Sequence, residues 1–216
     1  MKGLKLIFIS LFILLLTGCS SDALRFKNEY EDLNKDEQYR KVSISNKNPF
    51  VYKEVSDIVK MMENKETFVV YFGFSKCPWC RSMIEELITS AKDFKVKKIY
   101  YVDVLDVRDT LKLKDGMIQI EKEASSDYYK LLDLMGDVLD RYVVTDGDIS
   151  MDANEYRIYA PNVIYVKDGK ALVKTTGISS LQTSSNMELT SEMKKESYKL
   201  ISDVLNYNTV CTDKTC

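Results

Sequence analysis

The chain has 216 residues, 45% of them hydrophobic and 30% charged, and its 31 basic side chains nearly balance 33 acidic ones. That length builds one well-buried domain with extensions rather than two large domains, and a formal charge of −2 offers no basic field for nucleic acid. Histidine is absent throughout, which excludes Ser-His-Asp triads, Cys-His proteases and His-ligated metal sites and leaves cysteine as the principal nucleophile.

At the start of the chain Lys2 and Lys5 lead into an apolar run from Leu6 to Leu16, the layout of a secretory signal and too short to span a bilayer comfortably. It closes on Leu16-Thr17-Gly18-Cys19-Ser20, which resembles the lipobox of bacterial lipoproteins. The resemblance implies cleavage after residue 18, diacylglycerol on Cys19, and a protein held at a membrane surface outside the cytoplasm. The plain alternative is a signal peptide with an incidental cysteine. Export places the other four of the five cysteines where disulfides persist and exchange.

Residues 19–40 are densely charged and weakly periodic, which predicts a tether with helical character in part at most. A domain is expected over 41–207. Val42-Ser43-Ile44-Ser45 alternates apolar and polar and predicts a short first strand, and apolar side chains at helical spacing predict a helix over 50–63. Residues 67–74 form a continuous aromatic and β-branched run, the pattern of a central strand buried on both faces. A helix follows over 78–93 with Met83, Ile84, Leu87 and Ile88 on its inner stripe, then a strand over 97–105.

Residues 106–159 break this alternation and read as an insertion containing one helix around Leu131–Leu139. Its acidic residues Asp146, Asp148, Asp152 and Glu155 lack the spacing of a calcium loop and read as a solvated face. After Ala160-Pro161, two apolar runs flank Lys167-Asp168-Gly169-Lys170, a strong hairpin signal. A last helix is expected over 186–206, and 208–216 form a polar tail carrying Cys211 and Cys216.

The feature with the most chemical content is Cys77-Pro78-Trp79-Cys80, which lies between the best strand and the helix after it. Two thiols at this spacing, opening a helix behind a strand, suit cycling between dithiol and disulfide. First-turn N–H groups and the positive helix end favour thiolate over thiol at Cys77, and Lys76 and Arg81 flank the pair. Pro78 falls near the first turn, where its missing N–H costs nothing. On this reading the Cys77 sulfur is open to solvent and Cys80 lies deeper. A bare Cys-x-x-Cys also fits a structural staple or half of a zinc site whose other thiolates would be Cys211 and Cys216. A local Cys211–Cys216 disulfide, or a second redox pair relaying electrons, are the further options for the tail.

The order of central strand, Cys-x-x-Cys at a helix start, returning strand, Ala160-Pro161, hairpin and last helix resembles the thioredoxin superfamily. The resemblance implies an α/β fold with a mixed sheet of four or five strands, flanking helices, and a helical insertion before a cis proline. It implies catalysis by Cys77 as nucleophile and Cys80 as resolving thiol. Ala160, Pro161, Pro78 and Trp79 would contact substrate, with no cofactor and no metal. The lipobox together with the Phe-Gly-Phe-x-x-Cys-Pro-x-Cys core is similar to extracytoplasmic thioredoxin-like lipoproteins of Gram-positive bacteria, including bacteriocin transport accessory proteins. Expected partners are exported proteins with thiols or disulfides, a separate redox partner, and the membrane.

Two departures from the family pattern stand out. The middle dipeptide Pro78-Trp79 matches neither the reducing nor the strongly oxidising members, so direction stays open. Tyr71 stands where thioredoxins carry a buried aspartate, so proton transfer at Cys80 falls to water, to Asp103 or to a tyrosine phenol. A binding module that keeps the scaffold without catalysis is the rival reading.

Overall fold

The structure, a computed structural model, describes residues 18–210. Residues 1–17 and the tail cysteines Cys211 and Cys216 lie outside the described residues, as does the side chain of Cys19. Among the described residues the architecture is α/β, with five α-helices and a mixed five-stranded sheet in the order β1-β3-β2-β8-β9.

The sheet is assembled around β2 (Phe68–Gly73), whose six residues are all buried. β3 (Ile99–Asp103) runs parallel to it with Tyr71 opposite Tyr101, and β8 (Asn162–Lys167) runs antiparallel with Tyr71 opposite Val163. β1 (Phe50–Tyr52) extends the sheet parallel to β3, and β9 (Lys170–Thr175) closes the other edge antiparallel to β8. Strand periodicity sends Val69 and Tyr71 to one face and Phe68, Val70 and Phe72 to the other. The first face is covered by α1 (Gly18–Glu31), α3 (Pro78–Asp93) and α5 (Ser191–Val210), the second by α2 (Val55–Glu63) and α4 (Ser126–Met135). With each apolar side chain worth about 1.5–3 kcal/mol on full burial, the doubly covered β2 fixes both layers. Asp168 (φ 49°) and Gly169 (φ 75°) make the left-handed turn joining β8 to β9, as the Asp-Gly signal predicts.

Three segments differ from expectation. The presumed tether over 19–40 is the helix α1 followed by a short 3₁₀ turn at Asp32–Lys35. Ala23, Phe26 and Tyr30 form a narrow buried stripe within the charged sequence, and Phe26 stacks on Phe50 with ring centroids 3.9 Å apart. The charges occupy the outer side, where Lys27 pairs with Glu31.

At 42–45, Val42 and Ile44 are buried as the alternation requires, but their backbone amides donate to side chains. Val42 N–H reaches Asn34 Oδ1 at 3.0 Å and Ile44 N–H reaches Glu31 Oε1 at 2.7 Å. The segment is therefore extended without being a strand, and the first strand is β1, cut from the front of the helix expected over 50–63. In its place α2 begins at Val55, where Asp57 Oδ2 accepts the Glu54 N–H at 3.2 Å.

The insertion is mostly hairpin rather than helical. β4 (Thr110–Lys114) pairs with β5 (Met117–Lys122), and β6 (Asp140–Asp146) pairs with β7 (Ile149–Arg157). The helix between the hairpins, α4, ends at Gly136 and packs its Tyr128, Leu131, Leu132 and Met135 into the core of the second sheet face. The hairpins share a satellite core of Leu113, Tyr142 and Val144. Asp152, one of the acidic residues on the second hairpin, pairs with Arg141 at 3.2 Å.

Candidate active site

The chain leaves β2 at Gly73, turns with Cys77 N–H donating to Phe74 O at 3.1 Å, and enters α3. Cys77 is the N-cap of that helix, and its sulfur accepts the Cys80 N–H at 3.2 Å while Pro78 occupies the first helical position. A sulfur thereby takes the role that Ser or Asp oxygen plays at most helix starts, facing backbone donors that favour negative charge. Both thiols are free; Cys77 is 3% exposed and Cys80 0%. The expectation of a solvent-open Cys77 is corrected to a sulfur close under the surface, flanked by exposed Pro78 and half-buried Trp79. Trp79 packs against the core cluster that contains both cysteines.

From the far side of the insertion the Ala160–Pro161 peptide, which is cis, reaches the same point, and Cys77 Sγ donates to Ala160 O at 3.5 Å. Pro161 is buried and Ala160 half-buried. The fold thus joins residues 77–80 and 160–161, more than eighty positions apart, at one end of the sheet.

The two sulfurs sit in opposed environments. The hydrogen bond from the Cys80 thiol holds the Cys77 thiol below its ordinary range. The backbone N–H groups of Cys80 and Trp79 and the charge of Arg108 add to this against the opposing effect of burial. Burial drives the Cys80 thiol well above its ordinary range, and the neighbouring Cys77 sulfur pushes it further. Such asymmetry suits a pair in which Cys77 attacks and Cys80 waits.

The cation responsible is Arg108, not the flanking Lys76 and Arg81 that the sequence puts forward. Arg81 is 1% exposed, and its guanidinium donates to Arg40 O at 2.7 Å, Tyr30 O at 2.9 Å, Ser75 O at 3.2 Å and Asn34 Oδ1 at 2.8 Å. It fastens α3 to α1 and the segment after it. Arg108 is half-buried, bonded to Ile158 O at 3.3 Å and 5.7 Å above the Phe74 ring. No spacing marks it, because it lies in the stretch that breaks the strand–helix alternation.

Tyr71 lies on β2 beneath the pair, its phenol folded over Gly73, where a Cβ would overlap the ring. The phenol shares the buried cluster of Cys80, whose thiolate its proximity favours, and lies 3.1 Å from the Tyr30 hydroxyl of α1. Asp103, the other candidate acid, is exposed at the end of β3 and accepts the Leu105 N–H at 2.8 Å. Tyr30 is a site residue that the tether reading hid. Its place seven residues after Ala23 and four after Phe26, on one helix face, is the signal that reveals it. No protein-family model, no curated protein and no solved structure matches this chain.

Proposed function

We propose that this chain is a thioredoxin-like thiol:disulfide oxidoreductase that acts outside the cytoplasm on exported proteins and is tethered to the membrane through lipid on Cys19. The observation that carries the redox part is the Cys77 sulfur serving as N-cap of α3, with its thiol held low while the adjacent Cys80 thiol is held high. The parallel β1-β3-β2 and antiparallel β2-β8-β9 arrangement, with Ala160-Pro161 beside the sulfurs, supports the thioredoxin-like assignment. Support for export and anchoring comes from the apolar leader and the Leu-Thr-Gly-Cys sequence alone.

In the reducing direction the Cys77 thiolate attacks one sulfur of a substrate disulfide. A Cys77–substrate bond forms, the substrate S–S bond breaks, and the departing sulfur takes the electron pair and a proton. Cys80 then attacks Cys77 Sγ, the mixed disulfide breaks, and the second substrate sulfur leaves as a thiol. The enzyme pair is oxidised by two electrons and the substrate reduced by two. Oxidation of substrates runs the same steps backwards, and the direction follows from the pair's potential relative to its redox partner. The half-buried Trp79 and Ala160 flank the route to Cys77, and substrate contacts are assigned to them with Pro78 and Pro161.

The test is a glutathione titration followed by Trp79 fluorescence, since this is the only tryptophan and lies between the sulfurs. A single two-electron midpoint is expected. Cys77→Ser abolishes disulfide exchange with a protein substrate, and Cys80→Ser accumulates a Cys77 mixed disulfide; full activity in Cys77→Ser overturns the proposal. The 3% exposure of Cys77 favours one rival, a non-catalytic scaffold that binds an exported partner. On that reading Cys77→Ser leaves partner binding and phenotype intact.

A further inference from the structure

We infer that the Tyr71 phenol, itself held by Tyr30, is the hydrogen-bond donor that stabilises the Cys80 thiolate as it forms, so that release of the mixed disulfide depends on a buried chain of two phenols. This rests on the oxidoreductase reading above and assigns the group that serves its second step.

Cys80 must become a thiolate to attack, yet it is 0% exposed, which withdraws the charge from bulk solvent. The chain has no histidine to assist. The groups near the Cys80 sulfur that favour its anion are the Tyr71 phenol, in the same buried cluster, and the Phe74 backbone N–H. Of these only the phenol belongs to a side chain that substitution can remove.

The placement of Tyr71 is tightly constrained. It is 0% exposed on the central strand, its ring stacks on Tyr101 at 5.5 Å, and its hydroxyl occupies the space that a side chain at residue 73 would need. Gly73 is thus the residue that lets the ring lie toward Cys80. On its other side the Tyr71 oxygen meets the Tyr30 hydroxyl at 3.1 Å. A hydroxyl can accept one hydrogen bond while donating another. Tyr30 donating to Tyr71, and Tyr71 to Cys80, satisfies both phenols in sequence and polarises the second toward the sulfur. Tyr30 is fixed in turn by Arg81, whose Nη1 donates to its carbonyl at 2.9 Å.

Burial and the nearby sulfur raise the Tyr71 phenol far above its ordinary range, so it keeps its proton throughout. It is therefore a donor and not a base. When Cys80 attacks Cys77 Sγ, the electron pair passes to the departing substrate sulfur, and the proton of the Cys80 thiol ends on that sulfur as the product thiol.

The test uses the mature chain, reduced, and 5,5′-dithiobis(2-nitrobenzoate) at a pH low enough to separate its two thiolate releases. Attack by Cys77 gives the first release and attack by Cys80 the second. Tyr71→Phe, which removes only the hydroxyl, is expected to slow the second release roughly tenfold, about 1.4 kcal/mol in barrier, while the first stays within about twofold. Its pH profile for the second release moves to higher pH. Tyr30→Phe, with Tyr71 left in place, slows the same step less. A second release unchanged in Tyr71→Phe overturns the inference, as does equal slowing of both releases, which marks general loosening of the site. Failure of the wild-type chain to give a second release at all overturns the oxidoreductase reading instead.

Discussion

The five-stranded scaffold and the two hairpins between β3 and β8 hold their shapes in different ways. The scaffold buries β2 on both faces and seats aromatic residues from α1, β1, β2 and β3 against one another, Phe26, Phe50, Tyr71 and Tyr101 among them. The hairpins share a three-residue core and leave Met117, Ile120, Val143 and Ile149 exposed. Their attachment relies on a buried ion pair, in which Arg157 Nη1 lies 2.8 Å from Asp109 Oδ1 and the guanidinium sits 3.9 Å from the Tyr142 ring centroid. The comparison teaches that precision at the site comes from the scaffold, which places both sulfurs and Tyr71, while the inserted region contributes one tuning charge, Arg108.

Substitutions sort along that divide. Phe26→Ala removes a fully buried ring from the scaffold's first helix and should cost about 3–5 kcal/mol in denaturant unfolding; a change within about 0.5 kcal/mol would return residues 19–40 to the status of a tether. Asp109→Asn leaves the Arg157 guanidinium without its charge partner. It should cost on the order of 3 kcal/mol, with the earliest loss of amide-exchange protection in the hairpins and not in β2. Uniform loss across both regions would show that they unfold as one unit.

Arg108→Gln removes the charge that the inserted region brings to Cys77. Because that charge favours the thiolate, the folded thiol rises toward its ordinary range and the alkylation profile of Cys77 shifts to higher pH. Stability should scarcely change. An unmoved profile would confine Arg108 to its bond with Ile158. The smallest effect is expected for Ile120→Ser on the exposed side of the first hairpin, within about 0.5 kcal/mol.

What the sequence discloses follows the same division. Residues 68–73 declare a doubly buried strand because the apolar run is unbroken, and Asp168-Gly169 declares its hairpin because both positions accept positive φ. Asp115-Gly116 and Asp146-Gly147 are the same dipeptide, between Leu111 and Leu113 on one side and Ile118 and Ile120 on the other in the first case. They mark hairpins that acidic composition and a leucine-rich helix overshadow. The first helix escapes notice because a stripe of three small or aromatic residues is enough to bury it. At 42–45 the alternation reports burial correctly and pairing incorrectly, since side-chain acceptors from Asn34 and Glu31 replace a neighbouring strand. Within the site, the two cysteines are legible from their spacing, and Pro161 only through the resemblance to the thioredoxin order of elements. Tyr30 is marked by the sequence only as a position on the buried stripe of the first helix, and Arg108 and the approach of Tyr71 to Cys80 arise only where distant segments meet.

The most direct test of the central claim is residue-resolved alkylation of the reduced chain with iodoacetamide as a function of pH. The account predicts that Cys77 reacts first, with a midpoint below the value of about 8.5 for a free cysteine, and that Cys80 is modified only on unfolding. Reaction at Cys80 ahead of Cys77, or a Cys77 midpoint at or above that of a free thiol, would contradict it.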